Sequence, residues 1–205
     1  MVRTRESLSA ALDHLSAAEP AFAALITRLG PPEPRNSEPG ATTLLRTIVG
    51  QQVSVPAARS MWNKLEGLHG SPPDLTTIAR ASDEELRLAG LSRQKAGYAR
   101  SLAELVLSGE LDLAALPRDD EEAIALLTKI RGIGRWSAEI YLLFAEGRAD
   151  AFPAGDLAVQ VGLGRLLGHE ERPSEKRLRE LAEPWRPYRG AAAVLAWHHY
   201  NTEVL

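Results

Sequence analysis

Two stretches of this chain hold residue types at spacings suited to chemistry: Leu127-x-x-Ile130-x-Gly132-Ile133-Gly134 and Phe152-Pro153-Ala154-Gly155-Asp156-Leu157. Two glycines around an aliphatic residue allow a tight turn between helices in which backbone N–H groups face outward. With the N-terminus of the next helix they form an anion site that needs no side-chain charge. Arg131 and Arg135 flank the turn and can add charge-assisted phosphate contacts, while Leu127, Ile130 and Ile133 pin the two helices together. A bare Gly-x-Gly would be only an interhelical turn; the full spacing followed by Trp136-Ser137-Ala138 points to phosphate. Asp156 lies about twenty residues further on, directly before an apolar segment. A carboxylate there is by default an N-cap, satisfying free helix amides. It is also placed to act on a nucleic-acid backbone held by the turn, and both readings stand.

A third feature is the pair Gln51-Gln52 at a helix junction. Solvent exposure is its plain explanation; a polar probe of a DNA groove, or a group filling the gap of an extruded base, is the sharper one. Arg93, Lys95 and Arg100 lie in the first half of a helix, against its dipole, and read either as a solvated face or as partners of an external anion. Trp62 and Trp185 read as core.

Segments of helical periodicity position these residues. They run over Ser7–Ala17, Pro20–Leu29, Thr42–Val53 with Thr42 or Thr43 as cap, Ser54–Leu68, Asp83–Ala89, Ser92–Leu107, Asp119–Ile130, Arg135–Glu146, Leu157–Leu167, Ser174–Ala182 and Pro187–Tyr200. Gly30–Gly40 is a proline-rich loop, Ser71–Asp74 a turn and Asp112–Leu116 a linker with a short helical turn. No alternating strand pattern joined by Asn-Gly turns occurs. The expected fold is all-α, with roughly ten short helices.

Composition sets outer limits. The 205 residues are 44% hydrophobic and 25% charged, enough for one compact domain or two small lobes. With no cysteine, disulfides, thiolate catalysis and iron–sulfur clusters are excluded. No apolar run approaches the roughly 20 residues of a membrane span, and MVRTRESLSA lacks a secretory apolar region, so a cytoplasmic protein without membrane partners is expected. A net charge of −3 argues against a nucleic-acid binder. Yet the basic residues are 20 Arg and only 4 Lys, and arginine suits bidentate phosphate contact. A G- and C-rich genome would produce the same skew, so it decides nothing.

The segments GIGRWSAEIYLLF, FPAGDLAV and IVGQQVS resemble the helix–hairpin–helix DNA glycosylase superfamily (HhH-GPD), and within it the 3-methyladenine DNA glycosylase II (AlkA) type. The likeness runs from about Ala41 to Tyr200. It implies a bilobal all-α fold around a DNA-binding cleft, one lobe covering roughly 41–115 and the other the N-terminal helices plus 116–205. It implies a monomer acting on double-stranded DNA that carries alkylated bases, cutting the N-glycosidic bond without a redox cofactor. Asp156 matches the catalytic aspartate. Trp136 stands where bifunctional relatives carry a nucleophilic lysine, so hydrolysis without strand cleavage is expected. Trp136 and Trp197 match aromatic walls of the base pocket, and Ile140 lies where some relatives add an aromatic. Gln52, beside Gln51, falls at the position that fills the flipped base's gap. The backbone carbonyls of Thr128, Ile130 and Ile133 correspond to a monovalent cation site. The chain has no room for the N-terminal α/β lobe of longer relatives. Two rival readings are a glycosylase for other lesions on the same fold and a non-catalytic DNA-binding module.

Overall fold

The structure, a computed structural model, describes residues 4–204. Helices α1 (Arg5–Ala18) and α2 (Pro20–Leu29) are followed by α3 (Ala41–Gly50), α4 (Val55–His69), α5 (Leu75–Arg80), α6 (Asp83–Leu88), α7 (Arg93–Leu107) and α8 (Asp120–Leu127). Then come α9 (Arg135–Phe144), α10 (Leu157–Leu166), α11 (Glu175–Leu181) and α12 (Arg189–His199), with a 3₁₀ turn at Glu183–Trp185 and a π turn at Tyr200–Val204. No strand occurs among the described residues, so the fold is all-α. The helix that periodicity did not reveal is α5. Its six residues are too few to show a repeat, but Asp74 caps it by accepting the Thr76 N–H at 2.8 Å.

Short polar side chains set most helix starts. Ser54, Ser82, Ser92, Asp119, Asp156 and Ser174 each accept a first-turn amide, each such cap stabilising by about 1 kcal/mol. The start of α3 departs from expectation: its N-cap is Gly40 and no side chain caps it. The Thr43 hydroxyl instead donates to the Glu38 carbonyl at 2.5 Å. That helix also ends at Gly50 rather than Val53, because Gln52 turns into the left-handed region with φ 54°.

The chain divides into two compact units, Met1–Ser37 with Leu142–Leu205, and Glu38–Tyr141. In the first, α10 and α12 pack together around Val159, Leu163 and the run Ala191–Ala196, with Leu12, Leu15, Phe22 and Leu25 of the N-terminal helices also buried. Gly162 permits the approach of α10 to α12; a Cβ there would lie 2.7 Å from the Ala196 carbonyl oxygen. Trp185 is buried edge-on against Phe22 and Phe152. In the second unit, α7 packs on α3 and α5 over Leu44, Leu45, Ile48, Ile78, Ala99 and Leu102. Trp62 is buried there, so both tryptophans read as core are core.

The second unit extends to Tyr141, beyond the lobe end near residue 115 drawn from the sequence. The turn after α8 is joined to α7: the Arg131 N–H donates to the Ser101 hydroxyl at 3.2 Å, and Gly132 lies against the Tyr98 ring. These long-range contacts draw the hairpin into the unit that α7 organises.

Candidate functional site

The hairpin is built as its spacing requires. After α8 the chain makes successive tight turns, with Ile130 N–H to Leu127 O at 3.2 Å and Ile133 N–H to Ile130 O at 3.0 Å, before Gly134 O accepts from Ala138 to begin α9. Leu127, Ile130 and Ile133 are buried and pin it. Gly132 has φ 81°, and a Cβ there would fall 2.1 Å from the Tyr98 ring. Only glycine meets both conditions. Gly134 has open space around it.

The two flanking arginines differ. Arg131 is exposed and has no carboxylate partner among the described residues. Arg135 is engaged: Nη1 donates to Glu121 Oε2 at 2.8 Å, Nη2 to Glu121 Oε1, and Nε to Glu139 Oε1 at 3.0 Å. Glu139 is 2% exposed, and a carboxylate at that depth demands a partner. The hydrogen bonds donated to Glu121 and the charge of Glu139 hold the Arg135 guanidinium above its ordinary pKa. Of the two flanking arginines, Arg135 is therefore engaged in an internal ion pair, whereas Arg131 is exposed and outside any such pair among the described residues.

Gln51 and Gln52 also part company. Gln51 Nε2 donates to the Gly132 carbonyl at 2.7 Å, tying the α3–α4 loop to the hairpin. Gln52 is exposed, and its backbone is the only non-glycine one with positive φ among the described residues. Such a conformation costs roughly 1–2 kcal/mol for a residue with a Cβ and persists only where its surroundings hold it. Lys95 adds to that hold: its Nζ donates to the Val49 carbonyl at the end of α3, at 2.7 Å, and burial lowers its pKa. Of the basic first half of α7, then, Lys95 serves the fold and Arg100 pairs with Asp83. A hollow of about 910 Å³ is lined by Arg46, Gln51, Gln52, Tyr98, Gly132 and Trp136. Trp136, in the first turn of α9, is 46% exposed, unusual for a tryptophan; Ile140, one turn on, is half-buried.

Asp156 belongs to the first unit. Its loop is stapled from within: Asp156 N–H donates to Pro153 O at 3.0 Å, buried Gln160 Nε2 to Ala154 O at 2.8 Å, and Arg179 Nη1 to Phe152 O at 3.2 Å. Asp156 Oδ1 accepts three hydrogen bonds, from the amides of Ala158 and Val159 at 2.9 and 3.0 Å and from the Trp197 indole Nε1 at 3.0 Å. Capping and orientation thus share one oxygen. Trp197 is half-buried, tilted against Phe144 with centroids 5.6 Å apart. Its donor role, like those of Gln160 and Gln51, has no signal in the sequence, because the acceptors are the distant Asp156 carboxylate and the loop carbonyls of Ala154 and Gly132. Among the described residues no group of three or more His, Asp or Glu could hold a metal ion. Of the three carbonyls implied for a monovalent cation, that of Ile130 already accepts the Ile133 N–H.

A glycine hairpin pinned by three buried aliphatics and a capping aspartate behind a Pro/Gly loop match a known family. The sequence profile of the HhH-GPD superfamily base excision DNA repair proteins fits residues 45–187. The chain belongs to that superfamily. It is 32% identical to DNA-3-methyladenine glycosylase 1 of Schizosaccharomyces pombe over 199 residues, covering 93% of this chain and 87% of that protein. A structure of the Schizosaccharomyces pombe 3-methyladenine DNA glycosylase in complex with abasic DNA superposes with a TM-score of 0.81 at 29% identity, over 95% of this chain and 98% of that one. A DNA-3-methyladenine glycosidase structure from Bacillus halodurans gives 0.82 at 32% identity, over 94% of this chain and 89% of that one.

Proposed function

We propose that this protein is a monofunctional DNA glycosylase that hydrolyses the N-glycosidic bond of alkylated bases, 3-methyladenine and other methylpurines foremost, in base excision repair. The observation that carries the reading is Asp156, a carboxylate oriented by two helix amides and the Trp197 indole, in a chain of this superfamily. As the base leaves, positive charge develops on the sugar. A preoriented carboxylate beside it lowers the barrier without any rearrangement at the moment of reaction. Asp156 can also orient the attacking water or take its proton. Trp136 offers an exposed aromatic face to an extruded base; a cationic methylpurine gains most from such a face.

The hairpin amides, with Arg131, hold the phosphate backbone, and Gln52 enters the gap the base leaves. A tryptophan at position 136 offers no amine for a Schiff base, so the reaction stops at hydrolysis. Any monovalent cation at Thr128, Ile130 and Ile133 would share the Ile130 oxygen with the turn and would support the hairpin only.

The test is release of methylpurines from alkylated duplex DNA by wild type and Asp156→Asn. Wild type releases them and leaves the strand uncut until alkali or heat is applied; the variant is slower by several orders of magnitude. Equal release by both would remove Asp156 from the chemistry. Borohydride trapping of wild type on DNA would establish an amine nucleophile and overturn the monofunctional reading.

A further inference from the structure

We propose that Arg46 of α3 and Arg59 of α4 form a second phosphate-binding surface, which takes the DNA backbone beside the Gln51–Gln52 loop and is separate from the hairpin. The proposal rests on the reading of this protein as a DNA-acting enzyme.

Its first basis is a contrast in pairing. Many arginines of the chain are held by carboxylates, among them Arg28 by Glu203, Arg100 by Asp83, Arg135 by Glu121 and Glu139, Arg179 by Glu175, and Arg189 by Asp150. In a chain with three more carboxylates than basic side chains that is the ordinary fate of an arginine. Arg46 and Arg59 escape it: both are exposed, and neither has a carboxylate within 4.0 Å among the described residues.

The second basis is preorganisation. The Arg46 guanidinium lies over the indole of buried Trp62, 4.2 Å from the ring centroid. Stacking of this kind fixes a side chain that would otherwise lose rotamer freedom on binding, and it leaves the N–H edge of the guanidinium for a bidentate anion. A cation held in this way without a protein anion is suited to an anion supplied by a ligand.

The third basis is position. Arg46 and Arg59 line one groove of about 410 Å³ with Val55 and Asn63, while Glu66 of the same groove accepts a hydrogen bond from the Ser71 hydroxyl at 3.1 Å. Arg46 also lines the hollow that holds Gln52 and Trp136. A strand whose base gap is filled by Gln52 therefore meets Arg46 and then Arg59. Both arginines flank the loop within one unit, so the surface is a fixed extension of the Gln52 position. A repeating phosphodiester matches two separated cations; a single free phosphate would engage one.

Each phosphate neutralised contributes about 0.9 to the slope of log affinity against log salt on duplex DNA. Loss of one contact therefore weakens binding roughly eight-fold at 0.1 M salt relative to 1 M salt, and loss of two roughly sixty-fold. The experiment measures the affinity of wild type, Arg46→Met, Arg59→Met and the double variant for a duplex with a central abasic-site analogue, from 50 mM to 500 mM salt. Methionine keeps a long apolar stem over Trp62 and removes only the charge; thermal melting verifies the fold. Arg87→Met, which removes an exposed arginine of the same unit, is the control.

The expected result is a slope reduced by about 0.9 in each single variant and about 1.8 in the double, with the slope but not the full affinity restored in Arg46→Lys and no change in Arg87→Met. Wild-type slopes in the Arg46 and Arg59 variants, or an equal loss in Arg87→Met, would overturn the site. A wild type that binds DNA with these slope differences yet excises nothing would sink the glycosylase reading and leave the site intact. A wild type with no salt-dependent affinity for DNA would overturn both.

Discussion

Replacing Gly132 by alanine tests whether the hairpin is held by its packing against α7 or only by its own turn. Two costs are legible. The backbone sits at φ 81°, and moving a residue with a Cβ into the left-handed region costs roughly 1–2 kcal/mol. The new methyl would also fall 2.1, 2.3 and 2.6 Å from three carbons of the Tyr98 ring, less than any real contact. Tyr98 is not a flexible chain end, since its hydroxyl accepts from Gln94 Nε2 at 2.5 Å. The ring or the hairpin must shift, and overpacking of this kind adds about 1–3 kcal/mol. Gly132→Ala is therefore expected to destabilise by about 2–5 kcal/mol and to weaken DNA binding further, because the Gly132 carbonyl carries the Gln51 bond. The assay is urea unfolding of wild type, Gly132→Ala, Tyr98→Ala and the double variant. Steric conflict predicts that Tyr98→Ala relieves Gly132→Ala, giving a favourable coupling of about 1–3 kcal/mol, the usual range for residues in contact. An unchanged stability in Gly132→Ala, or strictly additive effects in the cycle, would refute the packing argument.

Four further outcomes follow from the geometry. Trp197→Phe keeps a ring near Phe144 but deletes the indole donor to Asp156; a hydrogen bond to a charged group is worth about 1.5–3 kcal/mol, so single-turnover excision should fall by about ten-fold or more with little change in melting temperature. Gln51→Ala frees the hairpin from the α3–α4 loop and should weaken DNA affinity several-fold at every salt concentration without altering the salt slope, a pattern that separates it from loss of a phosphate contact. Asp150→Ala removes the carboxylate bonded to Arg186 at 2.6 Å and to Arg189 at 2.9 Å; Arg189 keeps Glu183 at 3.1 Å, so a loss of about 2 kcal/mol is expected in urea unfolding. The Arg100 guanidinium holds Asp83 below its ordinary carboxylate pKa of 3.8. With a folded pKa lower than the unfolded one, the pair stabilises above the unfolded value and loses that contribution as pH falls through the folded one. The small melting difference between wild type and Asp83→Asn should therefore be present at pH 7 and absent in strong acid.

Local chemistry was legible in the chain itself. Gly132 and Gly134 around Ile133 announce a turn, buried Leu127, Ile130 and Ile133 follow from apolar spacing, and Asp156 before an apolar segment announces a cap. These depend on interactions within a few residues, which a linear pattern records. α5 escaped because six residues capped by Asp74 are too short to show a period, and the start of α3 escaped because Thr43 turns its hydroxyl to Glu38. What only the tertiary structure decided is how similar residues divide their roles. Arg135 binds Glu121 and Glu139 whereas Arg131 stays outside any ion pair among the described residues; Gln51 locks onto Gly132 whereas Gln52 projects; Trp62 and Trp185 are buried whereas Trp136 is half exposed and Trp197 donates to Asp156. Each of these turns on a partner brought close by packing, often far away in the chain. The physical reason is that side-chain type fixes what bonds a residue can form, while the fold fixes which partner is within about 3 Å.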